Sequence, residues 1–300
     1  MTPCLDLSIS VVIYNNDLAA INRLFNSILN TGLNLRVFVI DNAPKSDIEQ
    51  ISKRYRFNYI PSPINIGFGA GHNIAIKKAL GSAKYHLVIN PDIYFEKGTL
   101  EKIYNFMEDN AEIGLVMPRV LYPDGSIQYL CRLLPTPVGL LLRKLNLPAL
   151  TKLHDSKYEL RFADYNRAME APYLSGCFMF IRNEVFEKVG VFDERFFMYL
   201  EDVDLSRRIY SCFRNVYYPG AVIYHGYARD SLKSFKLTKY LIDSAIKYFN
   251  KWGWFLDRQR TLVNSAAIRA IKNQTTDASA RRRVEGEAGG KFFRRHDYSR

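Results

Sequence analysis

The first 117 residues switch back and forth between two hydrophobic periods, and few folds accept that alternation. Short apolar, β-branched runs at 8–14, 35–40, 57–60, 85–89 and 114–117 read as strands. Between them, 17–30, 46–55, 70–80 and 98–108 read as helices. In the first of these, Leu18, Ile21, Leu24, Phe25 and Ile28 recur at helical spacing. Strands joined through helices imply right-handed crossovers, so the expected class is α/β: a single Rossmann-like, mainly parallel sheet with helices on both faces. Such sheets bind ligands beyond the carboxyl ends of their strands, and the residues leaving each strand are therefore where chemistry is expected.

The rhythm changes at Arg119. Tyr122-Pro123-Asp124-Gly125-Ser126 predicts a hairpin turn. Residues 135–161 are Pro- and Leu-rich without clear periodicity and read as an inserted excursion, and 171–225 return to strand–helix–strand. The expected organisation is a main domain over 1–231, with halves of about 8–118 and 119–231. An amphipathic helical extension follows over 232–276, and then a disordered tail over 277–300, where Arg and Gly dominate and aliphatics nearly vanish.

Charge and cysteine usage narrow the partners. The formal charge of +12 favours anionic ligands or surfaces. No zinc-finger, RRM or helix-turn-helix pattern accompanies it, which disfavours a nucleic-acid partner. Cys4, Cys131, Cys177 and Cys212 are scattered, as reduced thiols of a cytosolic protein would be. The N-terminus shows no signal-peptide pattern, and no apolar run approaches the ~20 residues of a membrane span. In the helix at 232–256, Lys233, Lys236, Lys247 and Lys251 fall within an arc of about 60° opposite Tyr248, Phe249, Trp252 and Phe255. A basic stripe opposite an aromatic face suits an anionic membrane surface; equally, the aromatic face can pack on the main domain while the lysines meet water.

Five segments carry candidate chemistry. Glu201, Asp202 and Asp204 crowd three carboxylates into four positions at a predicted helix start, where the helix dipole tolerates them and a partly apolar pocket makes a general base. Asn90-Pro91-Asp92 follows a buried strand, and Pro91 forces the chain out of the sheet. A carboxylate at Asp92 suits a hard divalent cation that also holds diphosphate oxygens. Asp41-Asn42 ends the second strand, where an Asp can accept from a pyrimidine N–H. Asn65-Ile66-Gly67-Phe68-Gly69-Ala70-Gly71-His72-Asn73 leads into a helix with closely approachable amides. It follows the third strand and lacks the last glycine of GxGxxG, so NAD binding is rejected, and no P-loop motif exists. His225 ends a strand as a second candidate metal ligand.

In their order and spacing these motifs resemble glycosyltransferase family 2, with the GT-A fold, and most closely its bacterial rhamnosyltransferase-like branch; the resemblance covers roughly residues 8–231. It implies a nucleotide-sugar site at Tyr14, Asn15, Asp41, Asn65, Gly67, Asn73 and Asn90, and a Mg2+ or Mn2+ site at Asp92 and His225, with Asn90 standing where the family's DxD motif has its first Asp. It implies Asp202 as the base and support of the acceptor by Glu201, Gly176, Cys177 and Arg208. The implied reaction is an inverting transfer, best read as L-rhamnose from dTDP-rhamnose to a lipid-linked saccharide in O-antigen synthesis at the cytoplasmic face of the inner membrane. A UDP- or GDP-linked donor is the alternative, and a basic binding protein for nucleic acid or membrane is the non-enzymatic one. A nucleotidyltransferase is disfavoured because Asn15-Asn16-Asp17, not a basic glycine-rich loop, follows the first strand.

Overall fold

The computed structural model describes residues 5–43, 47–145, 148–226 and 235–290. Its first half runs β1 (Leu5–Ile13), α1 (Leu18–Leu29), β2 (Leu35–Asp41), α2 (Asp47–Arg54), β3 (Asn58–Pro61), α3 (Phe68–Ala79) and β4 (Ala83–Ile89). Asp17 starts α1 by accepting from the amides of Ala19 and Ala20, and the helix buries Ile21, Leu24, Phe25 and Ile28, the stripe its periodicity predicts. Next come β5 (Ile93–Tyr94), α4 (Thr99–Glu108), β6 (Ile113–Leu121) and β7 (Cys131–Arg132). The excursion at 135–161, which showed no clear period, folds into α5 (Pro137–Leu145) and α6 (Pro148–Tyr158). The chain continues through β8 (Met169–Glu170), β9 (Tyr173–Leu174), β10 (Phe178–Arg182), α7 (Asn183–Val189), α8 (Glu201–Tyr210) and β11 (Arg214–His225), and then α9 (Phe235–Trp252) and α10 (Arg258–Gly290).

The large sheet has the order β3-β2-β1-β4-β10-β6-β11-β5, with β8 on β11. β1 to β4 are mutually parallel, while β10 runs antiparallel to both β4 and β6. β6 is therefore parallel to β4, and β11 in turn is parallel to β6. That parity brings the carboxyl ends of β1, β2, β4 and β11 to one edge. β7 and β9 form a separate antiparallel pair beneath it.

The C-terminal extension differs from the single helix expected over 232–256. α9 stops at Trp252 because Gly253 takes a φ of +100°, and α10 begins at Arg258. Within the segment from Asp277 that is expected to be disordered, α10 continues to Gly290; residues 291–300 lie outside the described residues. The aromatic face of α9 packs on the main domain: Tyr248 and Phe249 are buried with Leu134, Tyr173, Phe196, Leu200 and Val203. The lysine stripe is not a free surface either. Lys247 Nζ donates to the Arg195 carbonyl (2.8 Å), and Lys251 Nζ meets Asp193 (2.9 Å) and Asp204 (2.7 Å). Lys236 is exposed, and Lys233 lies outside the described residues.

Candidate active site

The residues expected to bind the nucleotide sugar are assembled largely from strand ends. Tyr14 and Asn15 leave β1, with Tyr14 half exposed and Asn15 at a φ of +54°. Asp41, the last residue of β2, is buried; Tyr59 Oη donates to its Oδ2 (3.1 Å) and the Ala43 amide to its Oδ1 (3.0 Å). Burial and then the Asp41 charge push the Tyr59 phenol up to about 12, so it stays a donor. Asn42 Nδ2 donates to the Gly67 carbonyl (3.1 Å), and Asn65 Oδ1 accepts from the Gly67 amide (2.9 Å). Gly67 sits at a φ of +89°, and a Cβ there would collide with the Phe197 carbonyl, so this turn needs glycine. The Phe68 amide donates to that same carbonyl (3.0 Å), which seats the glycine-rich loop against the segment entering α8.

The metal-ligand candidates meet through strand register. Ile93 of β5 pairs with His225 of β11, and the Gly226 amide donates to the Asp92 carbonyl (3.0 Å). His225 Nε2 consequently lies 3.4 Å from Asp92 Oδ1 and 3.4 Å from Asn90 Nδ2. Among the described residues no group of three or more His, Cys, Asp or Glu is placed to hold a metal. What the described residues offer is a carboxylate and an imidazole 3.4 Å apart, close enough to share one cation. Hard divalent ions that work on phosphates are held by one or two protein carboxylates plus phosphate oxygens, and a neutral imidazole can complete the set for a first-row ion such as Mn2+, so the residues fit.

The acidic helix start separates its two carboxyl groups by environment. Tyr199 and Leu200 both take left-handed φ angles, +71° and +65°, immediately before Glu201. Such conformations in non-glycine residues cost of order 1–3 kcal/mol and persist only where surroundings hold them. Here Ser244 of α9 donates to the Met198 carbonyl (2.8 Å). The strained turn sends Glu201 into the interior, where burial, followed by the charge of Asp202, holds its carboxyl well above the usual range. Its Oε2 has no hydrogen-bond partner. Asp202 points the other way and accepts three bonds: from Tyr173 Oη (2.8 Å) and the Gly176 amide (2.8 Å) at Oδ2, and from the Val203 amide (2.9 Å) at Oδ1. One acceptor position on Oδ1 remains for a substrate proton. Neighbouring carboxyls in such unlike surroundings suit unlike roles, and the one that accepts three hydrogen bonds and keeps an acceptor position free has the geometry of a base.

Residues 176 and 177 join Asp202 to the Asp92–His225 corner. Gly176 bonds Asp202, and a Cβ on it would fall 2.9 Å from the Asp202 Cβ. The next carbonyl, of Cys177, accepts the Asn90 amide (2.9 Å). The Cys177 thiol is buried and pushed up to about 12 by that burial, so it serves as packing.

Two expected site residues lie elsewhere. Asn73 is buried and ties α3 to the loop after α7, donating to the Phe192 carbonyl (2.9 Å) and to Glu194 (2.9 Å) and accepting the Phe192 amide (3.0 Å). Its helix turns it away from the strand ends. Arg208 grips Asp204 (2.9 Å) and the carbonyls of Val189, Gly190 and Val191, and none of these bonds reaches Asp202. Conversely, Tyr173 and Gln128, which bond Asp202 and His225, were not picked out from the sequence. Tyr173 lies in a two-residue strand and Gln128 just past a turn, where no hydrophobic period marks either.

Among the described residues no helix is long and apolar enough to cross a membrane. The chain is similar to the low-salt glycan biosynthesis hexosyltransferase Agl10 of Haloferax volcanii, 29% identical over 205 residues that cover 68% of this chain and 61% of that protein. It is 27% identical over 209 residues to an N-acetylglucosaminyl-diphospho-decaprenol L-rhamnosyltransferase of Mycobacterium tuberculosis, covering 63% of this chain and 66% of that one. The chain thus spans just under two thirds of the length of these relatives. The rhamnosyltransferase WbbL of Escherichia coli is 26% identical over 241 residues, 76% of this chain and 84% of that protein. Among solved structures, GalNAc-T7 with UDP, GalNAc and Mn2+ superposes with a TM-score of 0.60 at 14% identity, over 84% of this chain and 49% of that one. Residues 1–349 of S. aureus TarS give 0.53 at 17% identity, over 82% and 66%. These likenesses show a GT-A fold. The model of glycosyl transferase family 2 matches residues 8–190, and the chain belongs to that family.

Proposed function

We propose that this protein is a metal-dependent inverting hexosyltransferase that moves L-rhamnose from dTDP-rhamnose to a saccharide on a lipid carrier, in bacterial surface polysaccharide (O-antigen) synthesis. The observation that carries the reaction type is the unlike pair Glu201 and Asp202, joined through Gly176-Cys177 to the Asp92–His225 corner. The names of the mycobacterial and Escherichia coli relatives support rhamnose over another hexose.

In this reading the sugar ring lies between the two corners, with its anomeric carbon facing Asp202. The acceptor hydroxyl forms the new bond to that carbon as the bond to the diphosphate oxygen breaks on the opposite face. Asp202 Oδ1 takes the hydroxyl proton, and Tyr173 Oη and the Gly176 amide hold the carboxylate in place. Burial and the Asp202 charge push the Tyr173 phenol well above its ordinary range, so it remains a donor throughout. Asp92 and His225 are the residues that would hold Mg2+ or Mn2+, and such an ion would neutralise charge on the departing nucleoside diphosphate. Asp41 and the loop at Asn65-Gly67 would hold the base and phosphates. With two of four lysines engaged, a peripheral location on an anionic inner leaflet rests on the net charge of +12 and on exposed Lys236 and Phe235.

The test is incubation with dTDP-rhamnose, UDP-glucose and GDP-mannose, following nucleoside diphosphate release with Mn2+ and with EDTA. Release from dTDP-rhamnose only with metal, lost in Asp92→Ala, is expected. Release from a UDP- or GDP-sugar alone would move the donor assignment, and equal release in EDTA would remove the metal from the mechanism.

A further inference from the structure

Gln128 is buried just past the turn at 122–126, where its backbone amide donates to the Val120 carbonyl (2.9 Å). Its side-chain Nε2 donates to the His225 carbonyl (2.8 Å) and lies 3.3 Å from the Leu121 carbonyl. Carbonyls only accept, so these two partners settle which end of the amide is nitrogen. Its Oε1 therefore faces His225 Nδ1, at 3.0 Å. An amide oxygen also only accepts, so the proton between them belongs to Nδ1. A neutral imidazole carries a single N–H, which leaves the lone pair on Nε2, the atom 3.4 Å from Asp92 Oδ1. That lone pair can accept from Asn90 Nδ2, 3.4 Å away, and together with the Asp92 carboxylate it can hold a cation.

We infer that Gln128 is a positioning residue that selects the Nδ1–H tautomer of His225 and so turns Nε2 into a ligand for the divalent cation of the donor diphosphate. The inference rests on the metal-dependent reading of the Asp92–His225 pair and adds the element that makes one of its two ligands competent. Every link in the chain from Leu121 to Asp92 is a single hydrogen bond or close contact. Metal-bound histidines generally need such an outer partner, and removing it typically costs about 10–100-fold in metal affinity.

Two measurements on the full chain test it. In the first, 15N-histidine-labelled protein without metal is examined by long-range 1H–15N correlation, with the His225 signals assigned by their loss in His225→Gln. Wild type should show Nδ1 protonated and Nε2 bare. Gln128→Met, similar in size but with no acceptor oxygen, should release the ring toward the Nε2–H form. A wild-type ring already in the Nε2–H form, or one unmoved in Gln128→Met, overturns the inference. In the second, Mn2+ is titrated into protein saturated with dTDP and, in parallel, with UDP, and free Mn2+ is read by electron paramagnetic resonance. Gln128→Met should lose about 10–100-fold in Mn2+ affinity, whereas Gln128→Glu, which keeps the acceptor for Nδ1–H and loses only the bonds to the two carbonyls, should lose distinctly less. A purely structural Gln128 would give equal losses in both variants, and that result also overturns the inference. If wild type binds no Mn2+ in either series, the metal reading itself fails and the inference falls with it, while the assignment of Asp202 as base stands untouched.

Discussion

The two halves of this molecule bring residues to the same edge by different means. Up to about residue 118, candidate site residues stand where strands end: Asn15 after β1, Asp41 at the end of β2, Asp92 after β4. Their placement follows from parallel strands leaving the sheet in one direction. Beyond that point it depends on side-chain partners far apart in sequence. Asp202 is held by Tyr173, 29 residues away, and His225 by Gln128, 97 residues away. Arg207 of α8 bonds Asp257 (2.7 and 2.8 Å) and so fixes the start of α10, 50 residues on. A site built from strand ends tolerates change in any one side chain better than a site built from such pairs, because the sheet survives the loss of a pair.

The comparison sharpens most at Asp202. Asp202→Asn keeps size and removes basicity, so turnover should fall about 10²–10⁴-fold or more while dTDP binding, which the proposed function assigns to the first half, stays near wild type in calorimetry. Transfer at wild-type rate would take Asp202 out of the mechanism. Asp257→Ala probes the pair logic as stability: it strands a buried guanidinium, both side chains being about 97% or more buried, and should cost about 3–5 kcal/mol in urea unfolding. A loss below about 1 kcal/mol would mean that the extension is not coupled to α8. Gly67→Ala is the matching change in the first half. The φ of +89° and the Phe197 carbonyl leave no place for a Cβ, so about 1–3 kcal/mol should be lost, together with donor affinity. Unchanged donor affinity in that variant would separate the loop from the nucleotide site.

Acid should strike the first half selectively. Ser10 Oγ bridges His72 Nδ1 (2.6 Å) and His86 Nε2 (2.8 Å), and Ser8 Oγ meets His86 Nδ1 (2.7 Å), all buried beside β1. Burial pushes His86 down to about 3 and His72 well below its usual value, with the neighbouring His86 adding to the latter. Both rings are neutral when folded and take protons near 6.5 when unfolded, so their contribution to stability is complete above about pH 6.5 and is lost as pH falls below it. Urea unfolding from pH 7.5 to 5 should show that decline, and His86→Gln should flatten it; an equal slope in the variant would place the acid sensitivity elsewhere. The smallest effect expected is that of Tyr173→Phe. It removes one of three donors to Asp202 and should lower kcat about 5–10-fold, the equivalent of about 1 kcal/mol, with little change in KM for the donor. A change in KM alone would mean that Tyr173 binds acceptor instead of holding the base.

Period and strand-end chemistry were legible in the residues themselves. The stripe Ile21, Leu24, Phe25 and Ile28, the apolar run before Asn90-Pro91-Asp92 and the turn at 122–126 each encode local geometry, because backbone sterics and side-chain alternation act over a few neighbours. The partners of Asn73 were not legible for the opposite reason: spacing within a glycine-rich lead does not say which face of α3 meets the loop at Phe192 and Glu194. The lysines of α9 looked solvent-facing because helical projection separates polar from apolar arcs without knowing that Asp193 and Asp204 wait on the partner surface. Which of Glu201 and Asp202 is buried and which is held by three donors, which atom of Gln128 faces His225 and which helix face is covered were decided only by the tertiary structure. Each depends on burial and on donors brought from far along the chain, and those are set when the whole sheet and its C-terminal helices close together.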